Sequence, residues 1–287
     1  MALIRINSDM TGQINAHDAD QTLRQIYATL AQRHGPIVIM THGFSFAPNH
    51  PRHCPHIHIL SEKPSTNHFK ALAWPSALGL VGEQANGDAI AFGWYARGSI
   101  WAAWRTAAKA GIGLGQLIEQ IKQFAPHRPI FLMGHSMGAR VIAGAFHNVP
   151  PRSVTAAIFL AGAEYQSNLK AALDTPAAQN AHIINMTSRQ NWLFDFVFEI
   201  LVPKKKWADR SIGRGLSDPR IISCCIDDLN IRKVIKQLGV NLAPAERIFC
   251  HWSVYIRSGV FDFYRKLIFD PSTIEHLRLS LPPKTDP

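Results

Sequence analysis

Cysteine is scarce in this chain: four residues in 287, at positions 54, 224, 225 and 250. Adjacent Cys224 and Cys225 make a poor disulfide framework and no CxxC pair is present, which excludes a disulfide-stapled secreted module and points to a reducing compartment. Charged residues are few, 17% against the roughly 25% usual in soluble domains. With 47% hydrophobic residues, that composition excludes intrinsic disorder. No uninterrupted apolar run approaches the ~18 to 20 residues of a bilayer span; the longest candidate, Trp192–Val202, is broken by Asp195 and Glu199. The opening residues MALIRINSDMTGQ contain no apolar signal core, so a cytoplasmic protein is expected. Acidic residues are in deficit, 20 against 30 basic, for a net charge of +10. Such a charge favours acidic partners or an anionic membrane surface and leaves the fold open. Nothing like a nucleic-acid motif accompanies it, and no nucleic-acid partner is expected. Oligomeric state has no signature here.

The apolar residues that are present come in short runs. Residues 1–20 read as polar and irregular. Leu23, Ile26, Tyr27 and Leu30 carry the spacing of an amphipathic helix over 21–33, stopped by Gly35-Pro36. Strands are expected at 36–41 (PIVIMT), 56–60, 88–94 (DAIAFGW), 129–133, 155–160 and 182–186. Between them lie a helix at 99–124, its middle weakened by glycines, and another from about 138 to 146. From 188 to 245 the pattern loosens into a variable, lid-like or edge segment, with an edge strand at 221–226. A last amphipathic helix covers 259–269 and the tail 279–287 frays. Strands separated by helix-length segments predict an α/β fold: a mainly parallel sheet flanked by helices. With no repeat and no clean linker, one domain over 1–287 is expected.

The sharpest local signal is Gly134-His135-Ser136-Met137-Gly138, which follows an apolar strand and precedes a helix. A serine on so tight a turn adopts a strained backbone, and its neighbours two residues away must lack bulk. The turn lifts Oγ above the sheet and sets the Met137 N–H at a helix start, where a developing oxyanion is favoured. The plain alternative is a strand–loop–helix turn that happens to hold a serine.

With MTHGF at 40–44, the GHSMG turn, the strand after the elbow helix and a histidine before the last helix, the chain resembles the α/β-hydrolase superfamily over most of residues 36–269. It is most similar to poorly characterised bacterial serine esterase- or lipase-like members that carry an AFGWYARGS-type segment before the elbow. The resemblance implies an α/β-hydrolase fold and a nucleophile, acid and histidine in the order Ser, Asp/Glu, His. Ser136 is the implied nucleophile. Met137 and Phe44, with Ser45 as the alternative to Phe44, supply the implied oxyanion N–H groups, while His42 itself caps the strand end. Of the 14 histidines, His251 stands where the fold carries its base; His276, near the tail, is the remaining candidate. The acid is expected in the loop after HIINM. Asn191 occupies the place where relatives often have Asp, and Asp195 follows four residues later. Because a carboxylate stabilises imidazolium and Asn only orients it, Asp195 is the first choice, with Asn191 and Asp209 as alternatives and Asp227 or Asp228 further off.

Other features are weaker. His50, His53, Cys54, His56 and His58 fall within nine residues, with His56 and His58 on one side of the expected strand, but their spacing matches no closed metal site. Gly111, Gly113 and Gly115 lie within a helix, not after a strand, and lack dinucleotide-loop spacing. Neither a metal nor a cofactor is expected. Trp192–Val202, followed by Lys204-Lys205-Lys206, reads first as a half-buried helix with a solvated basic end, and otherwise as an interfacial helix giving a weak membrane-surface contact. The expected function is a serine hydrolase, carboxylesterase-like, acting on a small-molecule acyl substrate through a Ser136-Asp195-His251 triad and an acyl-enzyme. The alternatives are a catalytically silent binding protein of the same fold and a peripheral membrane protein using 192–206.

Overall fold

The computed structural model describes residues 3–65 and 68–281. Its strands are β1 (Ile4–Ser8), β2 (Ile14–Ala16), β3 (Ile37–Thr41), β4 (Asp88–Trp94), β5 (Ile130–His135), β6 (Ala156–Leu160), β7 (His182–Thr187) and β8 (Ile221–Cys225). They form one sheet in the order β2-β1-β4-β3-β5-β6-β7-β8. All neighbours are parallel except the β1–β2 hairpin. The helices are α1 (Leu23–Ala31), α2 (Trp74–Ala77), α3 (Ile100–Phe124), α4 (Gly138–Ala145), α5 (Gln166–Leu173), α6 (Pro176–Gln179), α7 (Trp192–Leu201), α8 (Leu229–Gln237), α9 (Ser253–Ile256), α10 (Val260–Phe269) and α11 (Pro271–Ser280).

The central strands are apolar at every position because both faces are covered. Successive side chains alternate: Ile37 and Ile39 of β3 join a core with α1, α3, α4 and α5, while Val38 and Met40 join a second core with α8, α10 and α11. A mostly parallel sheet with helices on both faces and a serine on the β5–α4 turn is the α/β-hydrolase fold.

Several local expectations are corrected. The first twenty residues are not irregular: β1 pairs with β4 in parallel and β2 closes the sheet edge. The hairpin turn is held by Asp9, whose carboxylate accepts the N–H groups of Thr11, Gly12 and Gln13 at 2.7–3.0 Å. Residues 55–57 form a 3-10 turn where a strand was expected, because Pro55 starts the turn and its carbonyl accepts from His58 and Leu60. The glycines of α3 do not interrupt it; a Cβ on Gly111 would stand 2.9 Å from the Val141 carbonyl, so these positions let α3 and α4 approach. Beyond α10 the chain forms α11, and residues 282–287 of the expected tail lie outside the described residues. No helix among the described residues is long and apolar enough to cross a membrane.

Candidate functional site

Ser136 stands on the turn between β5 and α4 with φ of 54°, the left-handed region that non-glycine residues avoid. That conformation costs about 1–3 kcal/mol and persists only because its surroundings fix it. The Ser136 N–H donates to the Leu160 carbonyl at the end of β6 (3.0 Å), and the Ser136 carbonyl accepts from Ala139 (3.0 Å) and Ala163 (2.9 Å). The flanking glycines are required by contact. A Cβ on Gly138 would lie 2.9 Å from the carbonyls of Thr41 and His42, and one on Gly134 would lie 2.7 Å from Ile142 Cδ1. Beneath the turn, Arg140 of α4 pairs with buried Glu164 at 2.8 Å and fixes the loop after β6.

The loop after β3 approaches Ser136 from the other side. A Cβ on Gly43 would stand 2.6 Å from Ser136 Cβ and 3.2 Å from Oγ, so only glycine leaves this contact open. His42 pins the loop. The Trp94 backbone N–H can only donate, so His42 Nε2 accepts it (3.1 Å); Nδ1 therefore carries the proton and donates to the Gly43 carbonyl (2.8 Å). Burial pushes this imidazole down to about 4, which keeps it neutral. Of the two oxyanion candidates in this loop, Ser45 donates its N–H to the Ala96 carbonyl. The Phe44 and Met137 amides have no acceptor among the described residues, and both residues line the same cleft as Ser136.

His251 sits in the loop between α8 and α9. Its Nδ1 lies 2.6 Å from Asn191 Oδ1. Asn191 in turn donates its amide N–H to Asp195 Oδ2 (2.8 Å), and Asp195 Oδ1 accepts from the Ser211 hydroxyl (2.9 Å). Since the Asn191 nitrogen faces the carboxylate, its oxygen faces the ring, and His251 carries its proton on Nδ1 with Nε2 left as a base. This corrects the order expected from sequence: the residue against the imidazole is Asn191, and Asp195 stands behind it. The reason is helical. Asn191 stands at the position just before α7 and Asp195 lies one turn on, on the same face, so the two stack and the nearer one occupies the ring. Burial, partly offset by the Ser211 and Asn191 hydrogen bonds, pushes Asp195 up to about 7. A Cβ on Gly213 would collide with the Asp195 carboxylate, a requirement that no motif announces.

The remaining candidates are elsewhere. Asp209 accepts from the N–H and hydroxyl of Ser167 at the start of α5. Asp227 holds the loop after β7, accepting from Ser188 Oγ (2.7 Å) and Arg189 N–H (2.8 Å) and pairing with Arg257 (2.7 Å). Asp228 caps α8, and His276 is exposed on α11.

Two residues not anticipated from sequence lock the site. His135 Nε2 donates to the His251 carbonyl (3.0 Å), and the two rings lie 4.4 Å apart. Buried Arg257 donates to Gln190 Oε1 (2.6 Å), while the Gln190 carbonyl accepts the Cys250 N–H (3.0 Å), so the Asn191 loop and the His251 loop are joined. Burial first, with His135 and Lys70 nearby adding to the fall, holds His251 well below the ordinary histidine value. No hydrogen bond links Ser136 Oγ to the ring; the two residues meet as walls of one cleft of about 830 Å³. A serine hydroxyl, a neutral imidazole and two amides without a partner among the described residues thus line a single cleft.

The histidine-rich stretch is divided. His56 bonds Asn7 (2.7 Å), His58 packs edge-on against Phe46, and His50 accepts the Arg52 and His53 N–H groups. Helix α7 departs from the half-buried helix expected. Its charged residues point inward, with Asp195 3% and Glu199 6% exposed, while Trp192, Phe196 and Ile200 are 49%, 47% and 64% exposed.

No curated protein sequence matches this chain. Among solved structures it is similar to a Trichoderma reesei cutinase in complex with a C11Y4 phosphonate inhibitor, at 11% identity and a TM-score of 0.28, over 50% of this chain and 67% of the cutinase. Residues 55–208 match the family described as "Protein of unknown function (DUF726)", a stretch that includes Ser136, Met137, Asn191 and Asp195 and excludes Phe44 and His251. That match covers more than half of the sequence, and the chain belongs to this family.

Proposed function

We propose that the protein is a serine hydrolase of carboxylic esters or related acyl compounds, working through an acyl-enzyme in a domain that spans the chain. What supports it above all is Ser136, held at a costly backbone angle in a cleft it shares with a neutral histidine and two unengaged amides. His251 Nε2 takes the Ser136 proton as Oγ attacks the acyl carbonyl, and the N–H groups of Met137 and Phe44 hold the oxyanion. His251 then protonates the leaving group, and water repeats the sequence to release the acid. Asn191 keeps the Nδ1–H tautomer, and Asp195 polarises the Asn191 amide from behind. The test is labelling by a fluorophosphonate probe. Wild type is expected to label, whereas Ser136→Ala and His251→Ala are not; an unlabelled, folded wild type would leave a silent binding fold.

A second role has its own support. Six of the ten α7 side chains (Trp192, Leu193, Phe196, Val197, Ile200 and Leu201) are exposed and apolar, and the helix runs on to Lys204-Lys205-Lys206 and to Trp207, which is 96% exposed. An apolar face bordered by lysines suits an anionic bilayer surface. Binding to phosphatidylglycerol vesicles is expected, with a blue shift of tryptophan emission and little binding to phosphatidylcholine. Neutralising Lys204, Lys205 and Lys206 to Gln is expected to weaken it about 10- to 100-fold. Absence of binding to either vesicle would remove this role.

A further inference from the structure

The cleft that contains Ser136 has walls of opposite character. Ile100, Phe194, Val197 and Phe198 make one part of it apolar, and Arg52 and Lys70 carry cations in another. Two more cations stand close by: Arg97 donates to the Ser45 carbonyl (3.1 Å), and the Arg247 guanidinium lies 4.1 Å from the Phe69 ring centre. None of the four has a carboxylate within 4.0 Å among the described residues, although nine other arginines do. The one carboxylate lining the cleft among the described residues, Asp195, is occupied by Asn191 and Ser211.

Aromatic faces position two of these cations, Lys70 and Arg247, without neutralising them. Lys70 Nζ sits 3.3 Å from the Trp252 ring centre and 5.5 Å from that of Phe69. Two histidines beside them sense positive neighbours: burial first, then Arg97, His50 and Arg52 lower His53, and burial followed by His68, His53 and Lys70 lowers His58. Lys70 itself is lowered by burial first, with Cys250 opposing and Arg247 adding to the fall. A cluster of cations with no counter-charge, facing a pocket with apolar walls, carries a field that selects an anion. Arginine and lysine are also the side chains that hold phosphate best.

We infer that the cleft binds an amphiphilic ester bearing a phosphate-like anion, with the acyl chain against α7 and the anion at Arg52 and Lys70. This substrate class rests on the hydrolase function proposed above, so the test is one of binding, on Ser136→Ala protein, where turnover plays no part. Calorimetry would compare octyl phosphate, octyl glucoside and octyltrimethylammonium, which share one chain and differ in charge. Octyl phosphate is expected to bind at least ~10-fold tighter than octyl glucoside, and the cation weakest of the three. That preference is expected to shrink below ~3-fold in the Arg52→Gln/Lys70→Gln variant and to fall with added salt. Equal binding of the phosphate and the glucoside would overturn the proposal, even where the double variant fails to fold. Monoacylglycerol phosphate offered as monomers and in phosphatidylcholine vesicles then separates a soluble ester from a membrane lipid as the source of the anion. Loss of fluorophosphonate labelling with the preference intact would instead count against the hydrolase alone.

Discussion

Asn191→Ala is expected to lower turnover of a p-nitrophenyl acyl ester by about 10³-fold, equivalent to roughly 4 kcal/mol of transition-state stabilisation. Nothing else among the hydrogen bonds described holds His251 Nδ1, so the truncated site loses both the tautomer and the ring orientation. It also leaves Asp195 without its amide donor. The ring would still be packed against Phe194, whose centre lies 4.9 Å away in a stacked arrangement, so part of its placement survives and a complete loss is not expected. Asn191→Asp is expected to retain far more activity, within about tenfold of wild type, because an acidic oxygen can still accept from Nδ1. The new carboxyl would face Asp195 at hydrogen-bond distance, and such a pair shares a proton. Single-turnover rates for the two variants decide the matter, with Ser136→Ala marking the floor. An Asn191→Ala rate within tenfold of wild type would mean that the contact to His251 is only structural.

How legible this site was depended on how local each constraint is. The elbow could be read directly, because the demand for Gly134 and Gly138 around Ser136 comes from contacts along a few residues of chain. Chain order left His251 and His276, and position before the last good helix favoured His251, which lines the cleft with Ser136. Ranking Asn191 against Asp195 needed the point at which α7 begins, which is set by the short 3-10 turn after β7 and by Arg257 tying Gln190 to the loop of Cys250. Two residues four apart look interchangeable in sequence, whereas on a helix they form a queue. The β1–β2 hairpin escaped for another reason. Its edge strand is only three residues long, and Ile6 finds its partner on β4, more than eighty residues away. For α7 the alternation of apolar and charged residues was visible, but periodicity does not say which face turns inward. Glu199 is drawn in by Arg210 and Arg214, and Asp195 by Ser211 and Asn191. The apolar face is left outside.

Asp195→Asn is expected to make the protein more stable and the site less active, and both effects should appear over the same pH range. The carboxyl has an ordinary value of 3.8 and is pushed up to about 7, by burial first, with Glu199 adding to the rise and Ser211, Asn191 and Arg214 opposing it. The sign follows from proton binding. Between these two values the unfolded chain has released the proton while the folded one keeps it, so rising pH favours unfolding. The penalty is absent below about pH 4, grows to about pH 7 and is constant above, reaching at most about 4 kcal/mol. Asparagine has no such penalty. Its melting temperature should therefore exceed that of wild type by about 3–7 °C at pH 8, with the gap narrowing toward pH 4. Activity should move in the opposite direction. His251 is held neutral well below pH 6.5, so a rise of kcat/KM with an apparent pKa near 7 belongs to ionisation of Asp195. Asp195→Asn is expected to abolish that limb and to lower the plateau by about 10- to 100-fold, since a neutral amide polarises Asn191 less than a carboxylate does. Retention of the limb in the variant would assign it to another group, and a stability gap that does not change between pH 5 and pH 8 would mean that Asp195 is already ionised at pH 5. Where both shifts appear together, the protein is carrying a buried negative charge at a cost in stability because the imidazolium formed at His251 needs one within reach.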